Sequence, residues 1–207
     1  MTKIQRLEKL AAGIPTMDGV KAGSLLREYA GKTVGCVVEV GAWLGSCTAY
    51  LALGALQNPQ AGGGIHVYDR FEATGSEISK AAAGGVKLKS GQDTEGVFKY
   101  NLAPFQQAGV KIVSHKGDVR GATWNGERIG LYVDDASKRK PLFDHAMKTF
   151  GKGFYPGTVL FLMDFFYFEK NPDPGLAYQY EYMNAHKRRY RYIDRIAGTS
   201  AAIFEVV

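Results

Sequence analysis

The chain has 207 residues, 45% of them hydrophobic and 22% charged, a length and make-up that suit one globular domain with a sizeable core. Two features of the composition exclude whole classes. No apolar run approaches the ~18 residues of a membrane span, and two cysteines are too few for a disulfide framework and read as small buried thiols. The net charge of +6 gathers in SKRK (137–140) and HKRRYRY (186–192). No nucleic-acid-binding motif accompanies it, so these runs read as a solvated helix end and an edge strand.

The first residues, MTKIQRLEKLAAGIP, are charged and carry no secretory apolar segment, which points to a reduced, cytoplasmic protein. Residues 3–12 and 18–30 read as amphipathic helices outside the main sheet, and we expect an N-terminal helical extension (1–30) on a core of 31–207 within a single domain. CVVEV (36–40) is a continuous apolar run, as for a strand buried on both faces. SCTAYLALGALQ (46–57) follows as a helix with Ser46 as its cap, and GIHVYD (64–69) as a second strand. The stretch 73–92, rich in glycine, serine and lysine, is expected to be a loop with a short helix. DTEGVFKYNLAPFQQAG (93–109) reads as a helix capped by Asp93 and disturbed at its end by Pro104.

KIVSHKGD (111–118) and RIGLYVDD (128–135) are the third and fourth strands, KPLFDHAMKTF (140–150) a helix closed by Gly151, and TVLFLMDFF (158–166) the fifth strand. LAYQYEYMNAHKR (176–188) is helical, and its tyrosines at 178, 180 and 182 cannot all face the core. YRYIDRIA (190–197) and AAIFEVV (201–207) read as an antiparallel pair. Alternating strands and helices imply an α/β, doubly wound, Rossmann-like sheet of seven strands, mainly parallel, with an antiparallel C-terminal hairpin.

In such a sheet the ligand crevice lies at the carboxyl ends of the strands. There the sequence places Glu39 to Gly45, Asp69, Asp118, Asp134 with Asp135, and Asp164. Every parallel strand ends at or near an acid. A buried glutamate is costly without a partner, and Gly41 and Gly45 imply a backbone passing close to a ligand or to a neighbouring strand. The spacing E-x-G-x-x-x-G lacks the three-glycine cradle of a dinucleotide site. A carboxylate at Asp69 suits two ribose hydroxyls and would repel a 2′-phosphate.

VVEVGAWLGSCTAYLA (37–52), HVYDRFE (66–72), SHKGDV (114–119), LYVDDASK (131–138) and VLFLMDFF (159–166), in that order, resemble the class I S-adenosylmethionine-dependent methyltransferases over residues 30–207. The resemblance implies that Gly41, Ala42, Trp43, Gly45 and Ser46 form the loop against the methionine part of the cofactor. It further implies that Glu39 faces the methionine ammonium and Asp69 holds the ribose. Arg70 and Phe71 would flank the adenine, and Gly117, Asp118 and Val119 would lie near its amino group. Asp135-Ala136-Ser137-Lys138 is similar to a segment of the catechol and caffeoyl O-methyltransferases. Asp69-Arg70-Phe71-Glu72 is similar to one in the macrocin-type sugar O-methyltransferases of macrolide biosynthesis.

Two mechanisms follow from the resemblance. Asp135 and Asp164, with Asp134 nearby, would hold Mg²⁺, although Phe165 stands where those families place a second oxygen ligand. Alternatively Asp134 or Asp135 acts as base without metal, with Lys138 stabilising negative charge on oxygen. His66 reads as structural and His115 as a neighbour of the adenine. The implied reaction is O-methylation of a small-molecule acceptor, a sugar or a phenol, by an assembly that the apolar flanking helices mark as a homo-oligomer. Methylation of RNA and a non-catalytic cofactor-binding role are the alternatives.

Overall fold

The computed structural model describes residues 1–17, 21–60 and 62–207. Helix α1 (Lys3–Gly13) opens on a capping box, in which Thr2 and Gln5 satisfy each other's backbone amides. The second expected helix is α2 (Gly23–Ala30); of its expected start, residues 18–20 lie outside the described residues. The order then runs β1 (Cys36–Val40), α3 (Ser46–Ala55), β2 (Ile65–Asp69), α4 (Gly75–Ala83), α5 (Glu95–Gln107), β3 (Ile112–Lys116), β4 (Ile129–Asp134) and α6 (Lys140–Phe150). It closes with β5 (Phe154–Leu162), α7 (Tyr178–Ala185), β6 (Tyr190–Arg195) and β7 (Ala202–Val206).

The seven strands form one sheet in the order β3-β2-β1-β4-β5-β7-β6. The first five are mutually parallel, and β7 runs antiparallel to both β5 and β6. Strands β1 and β4, buried at every position, occupy the centre, which is why both read as unbroken apolar runs. The strand order reverses between them. That switch point opens a crevice above their carboxyl ends.

Each face of the sheet carries its own core. On one side Leu7, Leu26, Leu51, Leu53, Phe98 and Phe161 bring α1, α2, α3 and α5 against the strands. Helix α3 is apolar on all sides because it lies under α2 as well as on the sheet. On the other side Tyr132, Phe143, Met147, Phe150, Met183 and Phe204 join α6 and α7 to the sheet. Tyr178 and Tyr182, four residues apart, both meet Phe143, whereas Tyr180 turns to Phe165 and Phe168.

Several expected boundaries shift. The cap of α3 is Gly45 and not Ser46, and the cap of α5 is Thr94, with the Asp93 carboxylate accepting from the Glu95 amide at 2.9 Å. Pro104 sits inside α5, which continues to Gln107. Strand β5 starts four residues early, at Phe154, and ends at Leu162, so Asp164 stands in the turn beyond it.

Candidate functional site

The loop after β1 is shaped by backbone geometry. Gly41 and Gly45 have φ of +85° and +91°, a region that costs any residue with a Cβ. A Cβ on Gly41 would lie 2.9 Å from that of Ala136, and one on Gly45 would lie 2.8 Å from Leu102. The close approach inferred from these glycines is therefore to the protein itself. Trp43 also has a positive φ, +48°, a strained setting for so bulky a residue. Asp69 holds it there: one carboxylate oxygen accepts from the amides of Ala42 (2.7 Å) and Trp43 (2.9 Å), the other from Phe71 (2.6 Å). Each carboxylate oxygen offers about two lone-pair sites, so the half-buried Asp69 keeps one acceptor position.

Glu39 lies under this loop, fully buried on the face that carries α3. Its Oε2 accepts from Thr48 Oγ1 at 2.5 Å, and its Oε1 has no hydrogen-bond partner. Burial pushes the carboxyl up to about 8, against the pull of Thr48 and with a further push from the Asp69 charge. The acid is thus poised to ionise when a cation comes within reach.

The loop after β4 is pinned by Asp134. Its fully buried carboxylate accepts from Tyr132 Oη at 2.8 Å, Ser137 N at 2.8 Å and Ala136 N at 3.1 Å. Burial raises its pKa despite those bonds. Asp134 consequently faces away from the crevice and does not fit the base role expected of it.

Asp135, the next residue, lines the crevice together with Gly41, Ala42, Trp43 and Ser46. Thr16, Met17, Ala22 and Gly23 from the N-terminal segment, with Tyr50 and Met163, form its other walls and narrow it to about 30 Å³, room for little more than a water. Lys138 Nζ stands 2.7 Å from the buried carboxylate of Asp164 and 4.9 Å from the centre of the Tyr167 ring. Burial pulls the ammonium's pKa down, but Asp164, with Asp135 behind it, more than offsets this, so the net shift is upward. Lys138 is a charge, not a base.

A divalent cation does not fit here. Lys138 already neutralises Asp164, Asp134 is spent on backbone amides, and Phe165 is buried against Phe166 and Phe204. Among the described residues, the acids expected to hold Mg²⁺ do not form a three-ligand group.

The residues after β2 and β3 are not among those that line the narrow crevice. Phe71, at φ +52°, turns inward onto Phe98, with ring centres 5.0 Å apart, and is not free to flank an adenine. Arg70 is exposed, and Asp118 pairs with Arg120, which holds its carboxyl well below the usual carboxylate range. Gly117 donates to the Asp69 carbonyl at 2.9 Å, and Val119 is buried. His115, paired with Tyr68 one residue before the end of β3, bonds to His66 and stacks on Tyr68. A larger cavity, about 360 Å³, lies at the amino ends of the strands between Thr33, Val37, Asn58 and Lys111. Its described lining contains no acid. The wall from the N-terminal segment was missed as a set of residues, because Thr16 and Met17 reach the crevice only through the path of the chain.

No family model and no curated protein sequence matches the chain. Solved structures do. The O-methyltransferase NovP aligns with a TM-score of 0.67 at 14% identity, covering 98% of this chain and 88% of that one. The calicheamicin methyltransferase CalS11 aligns at 0.61 and 15% identity, over 98% and 91%. An O-methyltransferase from Bacillus cereus, solved in complex with SAH, aligns at 0.59 and 15%, over 99% and 90%. These alignments span nearly the whole chain, which has the Rossmann-like fold of the class I methyltransferases.

Proposed function

We propose that the protein is an S-adenosylmethionine-dependent methyltransferase that methylates a hydroxyl oxygen of a small molecule, a sugar or a phenol, without a metal. The observation that carries this reading is Asp135 on the crevice wall beside the Asp69-pinned glycine loop, at the switch point of the sheet, with the Lys138–Asp164 pair close enough to feel the Asp135 charge. The residues fit the cofactor on one further ground. The unpartnered, buried Glu39 Oε1 lacks the cation that a methionine ammonium would supply, and the last acceptor position of Asp69 suits one ribose hydroxyl.

The cofactor supplies an activated methyl on a sulfonium. The chain then has to align the acceptor oxygen with that methyl and remove one proton. Asp135 would take the hydroxyl proton as the acceptor's C–O bond forms and the sulfonium's C–S bond breaks, its electron pair staying with sulfur. Lys138 stabilises the negative charge that builds on oxygen, and Asp164 fixes its ammonium. Entry of a nucleoside needs the wall at Thr16, Met17 and Ala22 to move outward, because the crevice is too narrow for it. No described helix is long and apolar enough to cross a membrane. The reading takes the enzyme as cytoplasmic and homo-oligomeric; light scattering tests the assembly.

Titration calorimetry with S-adenosylhomocysteine in EDTA tests the cofactor, and assays on sugar and phenol acceptors in the same buffer test the reaction. Micromolar binding, and turnover that survives the chelator, are expected. Absence of binding defeats the cofactor reading, and turnover that appears only with Mg²⁺ defeats the metal-free mechanism.

A further inference from the structure

At the opposite end of β1 and β2, on the face that carries α6, three potential metal ligands meet. The Cys36 thiol, the His66 imidazole and the Glu127 carboxylate place one ligand atom each within 4.8 Å of one another. Cys36 Sγ donates to Glu127 Oε2 at 3.0 Å. His66 Nε2 is buried with no partner in good hydrogen-bond geometry, although the Gly63 backbone stands close enough to influence the ring, while its Nδ1 contacts His115 Nε2 at 3.1 Å.

The three groups are held from independent directions. Cys36 is fixed by its amide donating to Arg128 O at 2.8 Å. The turn bearing Glu127 is fixed by Trp124 Nε1 donating to Glu127 O at 2.8 Å and by Glu127 N donating to Asn125 Oδ1 at 3.0 Å. Trp124 also closes edge-on over the His66 ring at 5.2 Å. A Cβ on Gly63 would strike the Cys36 sulfur, so the backbone seals the cluster on that side.

We propose that Cys36, His66 and Glu127 form a binding site for a zinc-like divalent cation, with solvent as the fourth ligand on the exposed Glu127 side. One sulfur, one nitrogen and one oxygen suit Zn²⁺. Tetrahedral bonds to such donors separate them by about 3.4–3.6 Å, so the Cys36–Glu127 pair at 3.0 Å opens slightly while any separation near the 4.8 Å limit closes. His115 plays the outer partner that fixes the tautomer of a liganding imidazole and leaves Nε2 for the metal. On binding, the Cys36 S–H bond breaks, its proton passes to solvent, and a metal–sulfur bond forms. The thiolate and the carboxylate then balance the cation, against the nearby Lys111 ammonium. The site ties β1 and β2 to the loop before β4, far from the crevice, so it clamps the sheet and takes no part in methyl transfer.

Cobalt(II) titration of the whole chain, followed by near-ultraviolet absorbance, tests this. One equivalent should give a thiolate-to-cobalt charge-transfer band that Zn²⁺ displaces. Cys36→Ser should abolish the band and Cys47→Ser should keep it. Glu127→Gln, at an exposed position that leaves the fold intact, should weaken binding tenfold or more, and His115→Gln by 10–100-fold. Cobalt binding without the band, a band that survives Cys36→Ser, or unchanged affinity in Glu127→Gln would each overturn the assignment.

Discussion

The two loops that frame the crevice are each held by an aspartate accepting backbone amides, yet the two acids differ in what they have left. Asp69 sits half-buried at the rim, reaches across from the neighbouring strand and keeps one acceptor position. Asp134 ends its own strand, is wholly buried and shares its oxygens between two amides and a tyrosine. What separates the two acids is spare acceptor capacity at the surface: Asp69 keeps one position there, whereas the buried oxygens of Asp134 are committed to holding its own loop.

That contrast breaks most sharply at Asp134. Asp134→Ala strands the Tyr132 hydroxyl and two amides, and should cost about 3 kcal/mol or more, read by urea unfolding. A loss under 1 kcal/mol would put Asp134 back among the reacting groups. Next in size is Lys138→Met, which should lower kcat on the order of 10²-fold with little change in affinity for S-adenosylhomocysteine. Equal losses in both would mean that Lys138 shapes the pocket.

Asp69→Ala should reduce that affinity at least tenfold and stability by about 1–2 kcal/mol, as the Trp43 loop loses its acceptor. If affinity holds in calorimetry while stability drops, Asp69 is scaffold as well. A further effect is a pH dependence at Glu39, whose carboxyl is raised to about 8 in the fold. Its favourable contribution is complete below the unfolded value near 4.5 and fades as pH rises through about 8. Glu39→Gln should flatten the stability curve over that window. Calorimetry near neutral pH should also show a proton released when the cofactor product binds to the wild type but not to the variant.

The positions of these acids were legible because strand ends and the glycine loop leave clear marks in the sequence. Their orientation was not. Which of Asp134 and Asp135 turns outward depends on the backbone path through Ala136 and Ser137, and no residue type there announces it. Phe71 was expected at an adenine, and a positive φ that nothing in Asp-Arg-Phe-Glu signals drives it into the core. Cys36, His66 and Glu127 are remote in sequence. The β1–β2 register, with the β4 edge beside it, brings them together, so each one alone reads as inert.

Strand β7 lies between β5 and β6, so β6 touches the sheet only through a strand that follows it in the chain. During synthesis β6 leaves the ribosome with nothing to pair with. Its row of open amides and carbonyls waits for residues 202–206. Lys187, Arg188, Arg189 and Arg191, which precede or open that strand, give the waiting segment a repulsive charge that discourages two nascent chains from pairing first.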